Sequence, residues 1–167
     1  MCAKHCIAVW LVVGAVLSVA ILASAANIGI NEIAWSGTAV SAADEWIELY
    51  NPTDQTVDLT GWTLVFGDTV IYLDRVADAT IEVRRSVIEP GGYYLLERTD
   101  DSAVSDIEAD LIYKGALPND GIDISLFDGE GTLIDSVVCG EDGWPAGTAG
   151  DGLPPCLLYT SPSPRDS

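Results

Sequence analysis

The chain has little positive charge: seven lysines and arginines stand against 26 aspartates and glutamates, for a net charge of -19. A surface of that sign repels phosphate backbones, which argues against nucleic-acid binding through counterion release. Histidine is almost absent. The single one, His5, sits in the first few residues, so the rest of the chain cannot assemble a Ser/His or Cys/His nucleophile pair, nor a zinc site built on imidazole. Also missing are a G-x-x-x-x-G-K-[ST] phosphate loop and a G-x-S-x-G nucleophile elbow. No repeat is long enough for a solenoid or propeller, and beyond the first 26 residues no helical period is sustained. What the chain does have is apolar mass. Hydrophobic residues make up 49% of its 167 positions, too many for a disordered polymer and consistent with one domain and one core.

The two ends stand apart from the middle. Lys4 and His5 precede an uncharged apolar run from Ile7 to Leu22, which closes on Ala23, Ser24 and Ala25. That is the layout of a secretory signal peptide over residues 1–25, forming a helix that small residues offer to a signal peptidase. The alternative is a retained membrane anchor over Ile7 to Ala26, since about twenty apolar residues can span a bilayer. Either way the rest of the chain is expected outside the cytoplasm, secreted or at the cell surface. At the other end, residues 156–166 read CLLYTSPSPRD, which resembles the translation of a sequencing-library transposase adapter; the alternative is a natural disordered Pro-rich tail. On the adapter reading the natural sequence ends at about Pro155 and the domain is truncated. Cys2 and Cys6 then go with the leader and Cys156 with the tail, leaving Cys139 alone and no disulfide framework.

Residues 26–155 hold every acid except Asp166 and every base except Lys4 and Arg165. Their period is two. Strand-like segments are Ile28 to Trp35, Glu45 to Tyr50, Thr56 to Leu59, Trp62 to Phe66, Thr69 to Leu73, Val83 to Ile88 and Tyr93 to Arg98, separated by Asn51-Pro52, Gly61, Gly67-Asp68 and Pro90-Gly91-Gly92. Ile122 to Phe127 and Thr132 to Val138 flank Asp128-Gly129-Glu130-Gly131 as a β-hairpin. The acidic stretch Thr99 to Asp110 reads as a long loop holding a turn of helix. Short strands between turn residues predict an all-β sandwich or barrel.

The order of these segments resembles the lamin tail domain family, in its prokaryotic exported form. The resemblance runs through Ile30-Asn31-Glu32-Ile33, Glu45-Trp46-Ile47-Glu48-Leu49-Tyr50-Asn51-Pro52, Val57-Asp58-Leu59-Thr60-Gly61-Trp62-Thr63-Leu64 and Ile88-Glu89-Pro90-Gly91-Gly92-Tyr93. It continues through Leu117 to Asp128, Leu133-Ile134-Asp135-Ser136-Val137 and Trp144-Pro145. It implies an immunoglobulin-like β-sandwich with a binding, adhesion or scaffolding role, or else an accessory domain beside a hydrolase or nuclease in a larger exported protein. A closing strand would follow the Gly-rich residues 147–152. The basic surface of the nuclear lamins is not matched, since the bases here are only Arg75, Arg84, Arg85, Arg98 and Lys114.

Carboxylates and aromatics are the remaining chemistry. Acids are too abundant for Glu45, Glu48 or Asp123 to be singled out as a glycosidase pair, and Glu45 and Glu48 are expected as solvated strand-edge charge. The chain is expected not to be an enzyme, and no cofactor is assigned to it. Asp120, Asp123, Asp128 and Glu130 around the hairpin, with Asp100, Asp101 and Asp106 in the acidic loop, offer hard oxygens to Ca²⁺; the competing reading is that they shape turns. Trp46, Trp62 and Tyr94 are candidates for a carbohydrate-stacking platform, against a place in the core for Trp46 or Trp62. A protein or a cell-surface polymer is the expected partner, with a membrane only if the leader is kept as an anchor.

Overall fold

The structure is a computed structural model that describes residues 28–38, 40–74 and 85–145. The leader at 1–25 and the tail at 156–167 lie outside the described residues, as do the Gly-rich segment 147–152 and Arg75 and Arg84. Strand follows strand because apolar residues alternate with polar ones between Gly, Pro, Asn and Asp turns. The elements are β1 (Gly29–Ala34), β2 (Trp46–Tyr50), β3 (Val57–Asp58), β4 (Thr63–Phe66), β5 (Thr69–Tyr72), β6 (Val87–Ile88), β7 (Tyr93–Arg98), β8 (Leu111–Tyr113), β9 (Ile124–Phe127) and β10 (Leu133–Val137). They form a four-stranded sheet in the order β1-β2-β7-β8, a second in the order β10-β9-β4-β5, and a small β3-β6 pair. The two large sheets enclose a core that includes Ile47, Leu49, Leu64, Phe66, Leu96 and Leu126. This is the immunoglobulin-like sandwich, all-β throughout its described residues.

The apolar phase of β1 slips by one residue, with Ile30 and Ile33 both facing inward. A β-bulge accounts for it: the register against β2 shifts between Ile30 and Glu32. A second bulge lies between Leu133 and Asp135 on β10. The two bulged edge strands are held together by the Asp135 carboxylate, which accepts the Ile30 N–H at 2.7 Å and so ties one sheet to the other.

Two features depart from the sequence expectation. Residues 99–110 contain turns and bends but no helix. They fold back over the outer face of the first sheet, where Val104 and Ala109 close a second apolar cluster with Ala34, Trp46, Leu95 and Ile112. This roof starts at Thr99, whose φ of 77° is unusual for a β-branched residue; its N–H donates to the Tyr113 carbonyl at 2.8 Å. The other is β8, which the alternation does not reveal. It runs parallel to β7, with Leu111 and Tyr113 in the main core and Ile112 under the roof. A strand buried on both faces reads as a short apolar run without alternation.

Candidate functional site

Several acids are buried, contrary to the expectation of solvated edge charge. Glu45 is 3% exposed. One of its oxygens accepts Arg98 Nη1 at 2.8 Å and the other accepts the Leu117 N–H at 2.8 Å. Burial pushes its carboxyl above the ordinary glutamate range, and these two donors offset only part of that. Glu97, also buried, accepts the Ala103 and Val104 N–H groups at 2.9 and 3.1 Å and so pins the roof; burial raises its pKa too. Glu48 accepts Asn31 Nδ2 at 2.8 Å and stands opposite Glu32 in the ladder. Glu45 and Glu48 are therefore structural. Glu48 lies on the face of β2 opposite the core residues Ile47 and Leu49, Glu45 sits just before the strand, and donors from the neighbouring strand β1, from β7 and from the segment after β8 satisfy them.

Several of the proposed calcium ligands accept backbone N–H groups of the chain itself. Asp128 Oδ1 accepts the Glu130 and Thr132 N–H groups at 3.0 and 2.7 Å, and Asp123 Oδ1 accepts the Cys139 N–H at 2.8 Å. Asp120 brings its backbone carbonyl against Gly143, where a Cβ would come within 2.9 Å of that oxygen. Within the roof, Asp100 accepts the Ser102 hydroxyl and Asp101 accepts the Ala109 N–H. Among the described residues no three His, Cys, Asp or Glu side chains converge as a metal cage would require. The structure thus does not bring Asp120, Asp123, Asp128 and Glu130 together.

Nor do the three platform candidates share a face. Trp46 lies under the roof. Tyr94 is in the main core, its hydroxyl 2.8 Å from the Arg85 carbonyl and 3.0 Å from that of Leu73, and burial raises its pKa. Trp62 is buried as well and shows an edge to an open cleft between Thr53 and Asp58. A stacked indole pair, which the sequence did not announce, joins Trp35 and Trp144 with centroids 5.8 Å apart; Trp144 Nε1 donates to the Pro118 carbonyl at 2.8 Å.

The feature that sequence reasoning missed is the outer face of the second sheet. Register puts Leu133, Phe127, Thr63 and Tyr72 in one row across β10, β9, β4 and β5. The next row is Ser136, Ser125, Val65 and Val70. Their inward-facing neighbours Leu64, Phe66, Ile71, Ile124 and Leu126 are in the core, so both rows face away from it. Val70 and Leu133 are 47% and 53% exposed. None of the eight is acidic or basic, in a chain of net charge -19. Among the described residues the apolar cluster that covers the first sheet has no equivalent here. The signal was available in the alternation: the outward positions of these four strands lack charge, where a solvated face would carry it.

A family model described as Lamin Tail Domain matches residues 22–141, which includes all ten strands. No curated protein matches the chain.

Proposed function

The chain belongs to the lamin tail domain family, and on that premise we propose that it is an exported, non-catalytic domain that binds or scaffolds at the cell surface. The observation that supports this reading is the uncharged outer face of β10-β9-β4-β5, which leaves Val70 and Leu133 exposed while the other sheet is roofed by its own loop. A binding face of this kind is apolar at its centre and polar at its rim. Its rim carries acids: Asp68 and Asp123 are exposed at one end of the strands, and Asp128 lies at the other. The acidic surround keeps the domain soluble and steers polyanions such as DNA away from the face. The buried carboxylates are committed to holding loops, which suits a scaffold more than a hydrolytic pair.

Fractionation of source cells with an antibody to the chain tests the reading, together with co-sedimentation of the purified chain with washed cell envelopes. Recovery from the envelope or medium, and co-sedimentation that Val70→Lys weakens, are expected. A cytoplasmic location, or no retention on envelopes, contradicts it.

A further inference from the structure

We infer that the outer face of the β10-β9-β4-β5 sheet is a binding site for a neutral, extended polysaccharide, with Tyr72 and Phe127 as its stacking residues. The inference rests on the binding-domain reading above and specifies its partner. Phe127 and Tyr72 lie in one row on β9 and β5, with Thr63 of β4 between them. Strands repeat at about 4.8 Å, so the two aromatic positions are about 10 Å apart across the sheet. That is the length of two pyranose residues in an extended chain. Each ring offers a flat apolar surface to the C–H face of a sugar, and the hydroxyls of Thr63, Ser125 and Ser136 stand beside them for hydrogen bonds to sugar hydroxyls.

Charge selects among possible occupants. None of the eight side chains described in its two rows is charged, and its rim acids oppose polyanions. A second copy would bring together two chains that each carry a net charge of -19, which disfavours self-association through this face. A neutral polymer of hydroxyls meets neither obstacle. The pattern of hydroxyls interleaved with Val65, Val70 and the two aromatics suits a ligand that is apolar on its ring faces and polar on its edges.

The test is binding of the purified full chain to insoluble cellulose and chitin, with polygalacturonate as the acidic control, for the unaltered chain and for Tyr72→Ala and Phe127→Ala. Binding to at least one neutral polymer but not to the polyanion is expected, and each substitution should weaken it about tenfold. Ser125→Arg, a surface change that deletes no core residue, should abolish binding by obstructing the middle of the face; circular dichroism checks that each variant is folded. No binding to either neutral polymer overturns the inference, as does binding that folded Tyr72→Ala and Phe127→Ala leave unchanged. A dimer in sedimentation that Val70→Lys disperses also overturns it, by giving the face to a second copy. Retention on envelopes without binding to purified polysaccharide would defeat this inference alone, whereas loss of both would defeat the binding-domain reading too.

Discussion

The Arg98 guanidinium and the Glu45 carboxylate meet at 2.8 Å where the end of β7 passes the start of β2, and the Arg98 N–H also donates to the Glu45 carbonyl at 2.9 Å. The pair does not merely neutralise charge. Through its second oxygen Glu45 also holds the Leu117 N–H, so one side chain fastens the segment after β8 to the first sheet. Glu45→Ala removes the acceptor and leaves a donor and a half-buried cation behind, at a cost of about 2 kcal/mol, less than for a fully buried pair because Arg98 reaches solvent. Glu45→Gln keeps an oxygen for Leu117 and sheds the buried charge, so its cost should stay within about 1 kcal/mol. Urea unfolding of the two variants distinguishes them.

The pH dependence of stability follows from the same burial. Glu45 and Glu97 both have folded-state pKa values raised above the ordinary 4.5. In the window above that value the native state holds more protons than the unfolded chain, so stability falls as pH rises through the window and is greatest on its acid side. Asp58, lowered from 3.8 by its hydrogen bonds to Thr60, acts in the opposite sense and only below that value. Acidification from about pH 7 to about pH 5 should therefore raise the urea midpoint, and relief of the overall negative charge adds to the rise. A midpoint that falls over this interval would contradict the assignment.

Glu97 governs the roof. Glu97→Ala frees the Ala103 and Val104 N–H groups from the acceptor that turns residues 99–110 back onto the sheet. The roof should then open locally while the sandwich stays folded. Limited proteolysis should cut within residues 99–110 at least tenfold faster, since lost charge-assisted bonds are worth about 1.5–3 kcal/mol each. Tryptophan emission should shift to the red as Trp46 is wetted. Unchanged cleavage would mean that the apolar contacts of Val104 and Ala109 hold the roof alone.

The legibility of the fold tracks the range of the interactions involved. The hairpin Ile124–Val137 and the pairing of β4 with β5 could be read from alternation and turn residues because their partners are near in sequence. The bulge between Ile30 and Glu32 can be placed only against β2, because it is a shift of register between the two strands. Glu45 and Glu48 could not be told from surface acids, because a carboxylate is buried or solvated according to its donors. For Glu45 these are 53 and 72 residues away. Asn51-Pro52 read as a turn, and the buried Asn51 does more: its Nδ2 reaches the carbonyls of Gln55, Ile88 and Glu89, joining two loops far apart in sequence. Trp46, Trp62 and Tyr94 stand out in the sequence as large aromatics, whereas the sheet face with Phe127 and Tyr72 is marked only by missing charge, which composition does not show and the alternation of the four strands does.

Hydroxyl-radical footprinting of the purified chain, alone and bound to washed envelopes, tests the central claim most directly, because it reports side-chain exposure residue by residue. Loss of modification at Tyr72, Phe127 and Leu133, with the Thr53–Trp62 cleft and the roof unchanged, is the result predicted for binding through the uncharged sheet face. Protection of the cleft or the roof instead, or no protection at those three residues, would contradict it.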